Sequence, residues 1–480
     1  MNYRMIVYIM GRILVTIAAT MLLPLFISVY YNDGNIIPFL VPIIIALIAG
    51  GAASVRTPKD KSLFVREGLV IVSLSWVVIS IVGCLPFYIS REIPSFTDAF
   101  FETVSGFTTT GSSILSNVEA MSKSLIFWRS FTHWLGGMGV LVFAMAIFSS
   151  KDTRTTHIMR AEMPGPVVGK LTSKWQFSIR ILYTIYITLT LSETALLLLG
   201  GMPLFDSLVH AFGTAGTGGF GIKNNSIAFY NSAYIDYVIG IFMLLFGINF
   251  NVYYLLLIRK FSQIKSNNEM RWYLGILLGA AVLVGINIMP IYKTFGQAFR
   301  YSFFQVSSIM TTTGYSTADF TQWPVLSQMI LVMLMFIGGC AGSTSGGIKV
   351  IRLIVLVKTA VREVKLTASP RSVFSVKADG KQIDPGILTG ILAYFVVYMV
   401  LMGITILIVS LDNADPTTTV TAVISTLNNI GPGLGAVGPL GNFGGFSNLS
   451  KWVMSFAMLA GRLEFYPLLI LFTPYTWKRS

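Results

Sequence analysis

Charge is scarce in this chain of 480 residues: 34 Lys and Arg stand against 20 Asp and Glu, and only 11% of positions are charged, where an ordinary soluble domain carries roughly 25%. Cysteine is scarcer still, with Cys84 and Cys340 alone, each inside an apolar run. That excludes a disulfide framework and a Cys-ligated metal centre. The three histidines, at 133, 157 and 210, are too scattered for a metal site, and no His-Glu-x-x-His occurs. What fills the chain instead is apolar: 54% of its residues are hydrophobic, a share that a globular interior cannot absorb. The composition predicts a polytopic membrane protein.

A bilayer-crossing helix needs about 20 mostly apolar residues, and ten such stretches can be placed, at 12–31, 36–55, 68–90, 130–150, 181–205, 237–258, 272–292, 324–348, 385–411 and 452–477. Two of them carry charge away from their ends, Glu193 in the fifth and Arg462 with Glu464 in the tenth. An even number of spans puts both termini on one side. The N-terminus and the segments 56–66, 151–180, 259–271, 349–381 and 478–479 hold 26 Lys and Arg, while the alternate loops hold six. Positive residues mark the cytoplasmic side, so both termini are expected there. The net charge of +14 is thereby a topology signal, and its distribution argues against nucleic-acid binding. No cleavable signal peptide is evident.

Four of the outside connections contain a repeat. Each opens with about ten moderately apolar residues, too short to cross and suited to a re-entrant helix, and then runs into small residues and glycine. With Gly111, Gly219, Gly314 and Gly431 taken as equivalent, the residue two before is Thr109, Thr217, Thr312 and Asn429. The residue six before is Ser105, Gly213, Ser308 and Ser425. Asp98 and Asp206 each precede their glycine by thirteen, where they could cap or charge the first turn of the short helix. The fold expected is all-α: four units of span, short helix, glycine-bearing loop and span around one ion pathway, behind an N-terminal two-helix hairpin. Boundaries fall at 1–60 for the hairpin and at 61–165, 166–268, 269–375 and 376–480 for the units.

The membrane dictates the chemistry. Non-helical backbone at membrane depth is tolerated only when buried in protein or lining a water-filled path. Four such loops around a pseudo-fourfold axis would aim carbonyl oxygens at a common centre, which is how a dehydrated monovalent cation is held. Glycine allows the required backbone angle, and the four short helices would turn their negative C-terminal ends toward the ion. The candidate filter residues are Thr109, Thr110 and Gly111; Thr217, Gly218 and Gly219; Thr312, Thr313 and Gly314; and Asn429, Ile430 and Gly431. In the second loop Gly218 competes with Gly219 for the filter position, and Phe220, matching Tyr315, favours Gly219. Thr312-Thr313-Gly314-Tyr315 also parallels the Thr-Val-Gly-Tyr core of potassium-channel filters.

Five glycines in Gly338 to Gly347 make continuous helix costly in the eighth stretch, at up to about 1 kcal/mol each relative to alanine. A broken helix is expected there. It is not a phosphate loop, because Ile348 separates Gly347 from Lys349. Arg462, in mid-span, either pairs with Glu464 or stands in the ion path as an electrostatic barrier; two residues apart on a helix do not face each other, which disfavours the pair. Glu193 is expected to be buried or near an interface rather than catalytic, and Asp98, Glu102, Asp206 and Asp319 to lend the outer mouth a negative field. A Ser/His enzyme within the membrane would need a nucleophile and base converging from separate spans, and no pairing stands out. A secondary transporter with a midplane site is the other alternative, although inverted repeats are common in that class and these repeats share one orientation.

The four Thr-Thr-Gly or Asn-Ile-Gly loops, with Trp134-Leu135-Gly136-Gly137-Met138-Gly139 and Gly461-Arg462-Leu463-Glu464, resemble the Trk/Ktr/HKT superfamily of potassium transporters. The extra hairpin and the length resemble its bacterial TrkH branch. The resemblance implies potassium uptake across the bacterial inner membrane, with glycine at all four filter positions as the potassium-selective pattern and the transported K+ held at the filter carbonyls. It gives the segment containing Gly338, Gly339, Gly342, Ser343, Thr344, Ser345, Gly346 and Gly347 the role of an intramembrane gating loop, and places Arg462 in the pore as a barrier. It implies a homodimer docked on a cytosolic ring of nucleotide-binding subunits similar to TrkA, with no cofactor in this chain itself. The basic segments 151–180 and 349–381 are the expected contacts with that ring. Whether sodium or protons are coupled to the flux is left open.

Overall fold

The computed structural model describes residues 1–60, 63–139, 175–372, 374–378 and 381–477. The part of the fourth apolar stretch from 140 onward and the basic segment 151–174 lie outside the described residues. The chain is nearly all helix, a two-residue antiparallel pairing of Lys377–Ala378 with Lys381–Gln382 being a minor exception.

Small residues set the first packing contact. The hairpin of Tyr3–Tyr31 and Ile36–Ser54 is closed by Asn32 and Gly34, both with positive φ. Its helices approach so closely that a Cβ on Gly11 would lie 2.7 Å from the Gly50 carbonyl oxygen, and one on Gly50 2.7 Å from that of Gly11. Such close approach of small residues substitutes, inside lipid, for the hydrophobic drive that water supplies elsewhere.

Four units follow with a common plan. Their first helices are Val65–Ile89, Trp175–Leu199, Asn268–Tyr292 and Pro385–Val409. Their short helices are Phe96–Phe107, Leu204–Gly216, Phe295–Met310 and Pro416–Asn428. Polar side chains start three of the short helices: Ser95 accepts from the Asp98 N–H, Thr294 from that of Gln297 and Asp415 from that of Thr418, each satisfying an amide that the first turn leaves open. Asp98 and Asp206 lie in the first turns of their helices rather than at the caps.

Except in the eighth stretch, where a break is expected, the second helices differ from the expected uninterrupted spans. Among the described residues six helices are long and apolar enough to cross a membrane, and two bent pairs raise that to at most eight. The stretch at 237–258 is Ala233–Phe246 followed by Phe250–Leu257 at 92°, and the last is Asn448–Arg462 followed by Tyr466–Phe472 at 120°. The eighth stretch is helical only over Val325–Met335, and the helix of unit 1 ends at Gly137. Apolar side chains continue past every break, so hydropathy does not register them. The causes are local. Asn249 caps a new helix through the Asn251 N–H, while the Gly247 carbonyl accepts from the Cys340 N–H at 2.9 Å. In unit 4, Glu464 and Phe465 take φ of 56° and 67°, a left-handed conformation that stops a right-handed helix.

Glycine at these breaks lets second helices meet the ends of short helices. A Cβ on Gly136 would lie 1.8 Å from the Phe107 carbonyl oxygen, and one on Gly461 2.0 Å from that of Leu427. Phe107 and Leu427 each lie two residues before the loop positions Thr109 and Asn429. The packing therefore fixes where the loops begin. Large apolar side chains such as Phe26, Leu283 and Leu407 are 60–71% exposed, the face a membrane-embedded helix turns to lipid.

Because the obstacle is backbone, Gly136→Ala and Gly461→Ala should each destabilise the folded chain by about 1–3 kcal/mol. A drop in the thermal unfolding midpoint of the detergent-solubilised protein is expected for both. Gly275→Ala, where a Cβ meets nothing within 4 Å, should leave the midpoint unchanged or slightly raised.

Candidate functional site: a ring of four loops and the segment beneath it

The four loops share one backbone. Thr109, Thr217, Thr312 and Asn429 have φ of 56°, 56°, 57° and 57°, and Gly111, Gly219, Gly314 and Gly431 have φ of 81°, 76°, 85° and 105°. A non-glycine residue at positive φ is uncommon, and here it recurs in one register four times. In the second loop it is Gly219, not Gly218, that has the positive φ of the series. The amide before each glycine closes on the residue six before it: Thr110 on the Ser105 carbonyl at 2.8 Å, Gly218 on Gly213 at 2.8 Å, Thr313 on Ser308 at 2.8 Å and Ile430 on Ser425 at 3.0 Å. These are the positions the sequence register aligned.

The loops form a closed ring. A Cβ on Gly111 would point at the Gly218 carbonyl oxygen at 2.0 Å, on Gly219 at that of Thr313 at 2.0 Å, on Gly314 at that of Ile430 at 2.2 Å and on Gly431 at that of Thr110 at 3.0 Å. Each unit thus abuts the next and the fourth returns to the first. Asn429 reinforces the last joint, its amide donating to Thr110 Oγ1 at 2.9 Å. Thr109, Thr110, Thr217, Gly218, Thr312, Thr313, Asn429 and Ile430 are all buried. Among the described residues no hydrogen bond reaches the carbonyl oxygens of these eight. Buried carbonyls are otherwise paired in the great majority of cases.

Directly beneath runs the segment 336–349. It leaves the helix at Met335 and returns to helix at Val350. The Gly346 N–H donates to Thr312 Oγ1 at 2.7 Å, and a Cβ on Gly346 would lie 2.6 Å from the Asn428 carbonyl oxygen. Gly338, Gly339, Gly342 and Gly347 each face backbone or a side chain that a Cβ would crowd, and Gly342 and Gly347 have positive φ. Ser343 bonds back to the Cys340 carbonyl and Thr344 reaches that of Phe246. The buried Lys349 ammonium donates to the Ser345 and Gly346 carbonyls. The expected break is thus present, and it is a crossing strand of backbone rather than a loosened helix.

Arg462 ends the second helix of unit 4 and does not pair with Glu464. Its guanidinium donates to the Thr344 carbonyl at 2.8 Å and to those of Gly136 and Gly137 at 2.6 and 3.0 Å. Glu464 instead binds Arg352 through both guanidinium nitrogens, one at 3.1 Å, and Arg352 also lies 4.0 Å over the Tyr394 ring.

The expected acidic outer mouth is largely neutralised. Glu102 is fully buried and pairs with Arg129 at 2.6 Å, while its oxygens also accept from Ser113 Oγ and the Ile114 N–H, both at 2.9 Å. Asp98 pairs with Lys451 at 2.6 Å. Asp206 accepts from the Tyr230 hydroxyl, and Asp319 caps Thr321. Between the segments that follow the first two loops, the hydrogen bond from Lys223 holds the Glu119 carboxyl below the usual carboxylate range. Glu193 is buried, as expected. The pairing of Glu102 with Arg129 was not apparent in the sequence, nor was Glu269, whose Oε1 accepts from the Ala341 and Ile351 N–H groups at 2.7 and 3.2 Å and so ties the middle of the crossing segment to the first turn of the helix that follows it. Both depend on contacts 27 to 82 residues apart, and nothing in their local sequence distinguishes them.

A closed ring of four loops, whose carbonyls accept no hydrogen bond among the described residues, inside a multi-pass helical protein fits a cation-transport membrane protein. The TrkH family, described as "Cation transport protein", matches residues 37–292 and 289–478, and the chain belongs to it. The Trk system potassium uptake protein TrkH of Salmonella typhimurium is 36% identical over 485 residues, covering 100% of both chains. The Trk system potassium uptake protein TrkG of Escherichia coli is 32% identical over 99% of both. The crystal structure of the potassium transporter TrkH from Vibrio parahaemolyticus superimposes with a TM-score of 0.89 at 32% identity, covering 100% of each chain.

Proposed function

We propose that this chain is a potassium uptake protein of the bacterial inner membrane, with both termini cytoplasmic, and that the four-loop ring is its selectivity filter. The observation that carries the reading is the set of buried carbonyls, in one register in all four loops, that accept no hydrogen bond among the described residues. Backbone oxygens so placed replace the hydration shell of a monovalent cation, and the relatives named above supply the choice of potassium. The positive φ of Gly111, Gly219, Gly314 and Gly431 and the carbonyl facing each missing Cβ make a side chain at any of them a direct disturbance of the ring. Gly111→Ser should therefore cut discrimination of potassium against sodium by about tenfold or more, as Gly→Ser at the other three positions should in turn. Rubidium uptake into liposomes, competed by potassium or by sodium, measures this. Wild-type competition ratios in all four variants would refute the filter.

The segment 336–349 and Arg462 act as the gate. Support comes from their position: the segment bonds to Thr312 above it and Arg462 bridges its Thr344 carbonyl to unit 1. Deleting 342–345, or making Arg462→Ala, should raise uptake severalfold at equal membrane abundance. Unchanged uptake in both variants would exclude gating here.

The chain works as a homodimer on a cytosolic ring of nucleotide-binding subunits similar to TrkA. The helix Val350–Ala368 carries the relevant basic surface: it leaves the crossing segment directly, and Lys358, Arg362 and Lys365 lie along it. A displacement of this helix would reach the gate through Lys349 and through Arg352 to Glu464, two residues from Arg462. Nucleotide should act through the ring alone. Purified chain in liposomes is expected to show no change of uptake with ATP, ADP or NAD(H), and a saturable response of the isolated chain would overturn this assignment.

A further inference from the structure

The four loops are alike in backbone but not in what braces them. Three and one residues before the filter glycine stand Thr108 and Thr110 in unit 1, Thr311 and Thr313 in unit 3, Asn428 and Ile430 in unit 4, and Gly216 and Gly218 in unit 2. In units 1 and 3 the two threonines bond to each other behind the loop, Oγ1 to Oγ1 at 2.7 and 2.8 Å. The first of each pair is also tied back to its short helix, at Val104 and Ser307. In unit 4 the Asn428 amide donates to the Tyr398 hydroxyl at 2.8 Å, and Ile430 is buried. Unit 2 has no side chain at either position.

That space is filled from another unit. A Cβ on Gly218 would lie 2.3 Å from His133 Nδ1 and 2.4 Å from its Cγ, and one on Gly216 2.3 Å from the His133 carbonyl oxygen. His133 belongs to the second helix of unit 1 and is fully buried. Its Nδ1 is 2.8 Å from the Gly106 carbonyl oxygen, which also accepts from the Thr109 N–H. Its Nε2 is 3.2 Å from the amide nitrogen of Phe220, the residue after Gly219. A carbonyl can only accept and an amide N–H can only donate. The ring is therefore the neutral tautomer with its proton on Nδ1, donating to unit 1 and accepting from unit 2 at once. Its face packs on the Phe220 ring at 4.2 Å between centroids.

We infer that His133 is a positioning residue for ion selectivity, standing in for the side-chain brace that the second filter loop lacks and locking that loop to the first. The inference rests on the filter reading of the four loops. Selectivity by backbone oxygens depends on their number and on how firmly they are held, and a loop with glycine at three of four successive positions, 216, 218 and 219, is the least constrained of the four by its own sequence. The imidazole supplies both the bulk and the two hydrogen bonds.

The test compares His133→Gln, whose amide keeps one donor and one acceptor, with His133→Phe, which fills the space but leaves the Gly106 carbonyl and the Phe220 amide without this partner. Gly218→Ala, which pushes a methyl into the imidazole with His133 in place, is the third variant. Gly219→Ser is the reference for the filter itself. The readout is the ratio of sodium to potassium concentrations that half-inhibit rubidium uptake into liposomes, a ratio independent of how much active protein is reconstituted. His133→Phe and Gly218→Ala should each lower discrimination about fivefold or more, the equivalent of roughly one buried hydrogen bond, with His133→Gln within about twofold of wild type. Should His133→Phe not fold, Gly218→Ala carries the comparison by itself. If Gly219→Ser lowers the ratio while His133→Phe and Gly218→Ala do not, His133 is only a packing residue and the inference is wrong. If Gly219→Ser also leaves it unchanged, the filter reading has failed and this inference falls with it.

Discussion

Inside a bilayer every backbone N–H and C=O must find a partner, because hydrocarbon offers none. This chain breaks helix at membrane depth in at least seven places, the four loops and the breaks after Phe246, Met335 and Arg462, and each break is answered by another. The Gly247 carbonyl, released where one helix bends, receives the Cys340 N–H. The Phe250 N–H at the start of the next helix bonds to Gly342. The carbonyls of Gly136 and Gly137, at the end of another helix, receive Arg462. In each loop the two amides before the filter-register glycine are bonded locally, while the carbonyls of the same two residues are not paired within the described residues.

Buried charge obeys the same economy of partners. Removing one member of a buried ion pair strands the other at a cost of about 3–5 kcal/mol, so such pairs persist only where geometry saturates them. Glu102 accepts three hydrogen bonds on its two oxygens, from Arg129, Ser113 and the Ile114 amide, and Arg129 in turn donates to the Gly221 carbonyl. That network runs from the short helix of unit 1 to the segment after its own glycine-bearing loop and to the segment after the next. Its guanidinium also lies 3.4 Å over the Phe220 ring, whose other neighbour is His133. Charge that the sequence suggested for an acidic mouth is spent on holding loops together.

The sequence made the architecture legible to the extent that repetition and composition encode it. Four glycines in one register located four loops, and the residue at minus six proved to be the carbonyl on which each loop closes. Five glycines in ten residues located the crossing segment. Hydropathy failed at the bends because Phe250, Val252 and Leu468 remain apolar after the helix has turned; the break is made by Asn249, Glu464 and Phe465, whose effect depends on distant carbonyls and side chains. Arg462 illustrates the same limit. Its depth in an apolar run marked it as important, but its partners lie 118 and more than 300 residues away.

Pseudo-symmetry also explains why equivalent positions carry different residues. A true fourfold ring of identical subunits would have to brace each loop identically. A single chain need only satisfy each joint once, so threonine pairs serve two units, an asparagine held by Tyr398 serves a third, and an imidazole borrowed from a neighbouring unit serves the fourth. The same freedom permits one arginine, one lysine and one crossing segment beneath the ring, where four copies would crowd like charges in a low-dielectric space. Asymmetry below the ring is thereby compatible with near-symmetry within it. The φ angles of the loops are equal to within a degree at Thr109, Thr217, Thr312 and Asn429 and spread more at the glycine two residues on, reaching 105° at Gly431, whose carbonyl accepts from the Ser425 and Ser112 hydroxyls. The fourth loop is therefore held from its side chains, the second from outside, and the ring keeps its register because each of these different contacts fixes the same backbone turn.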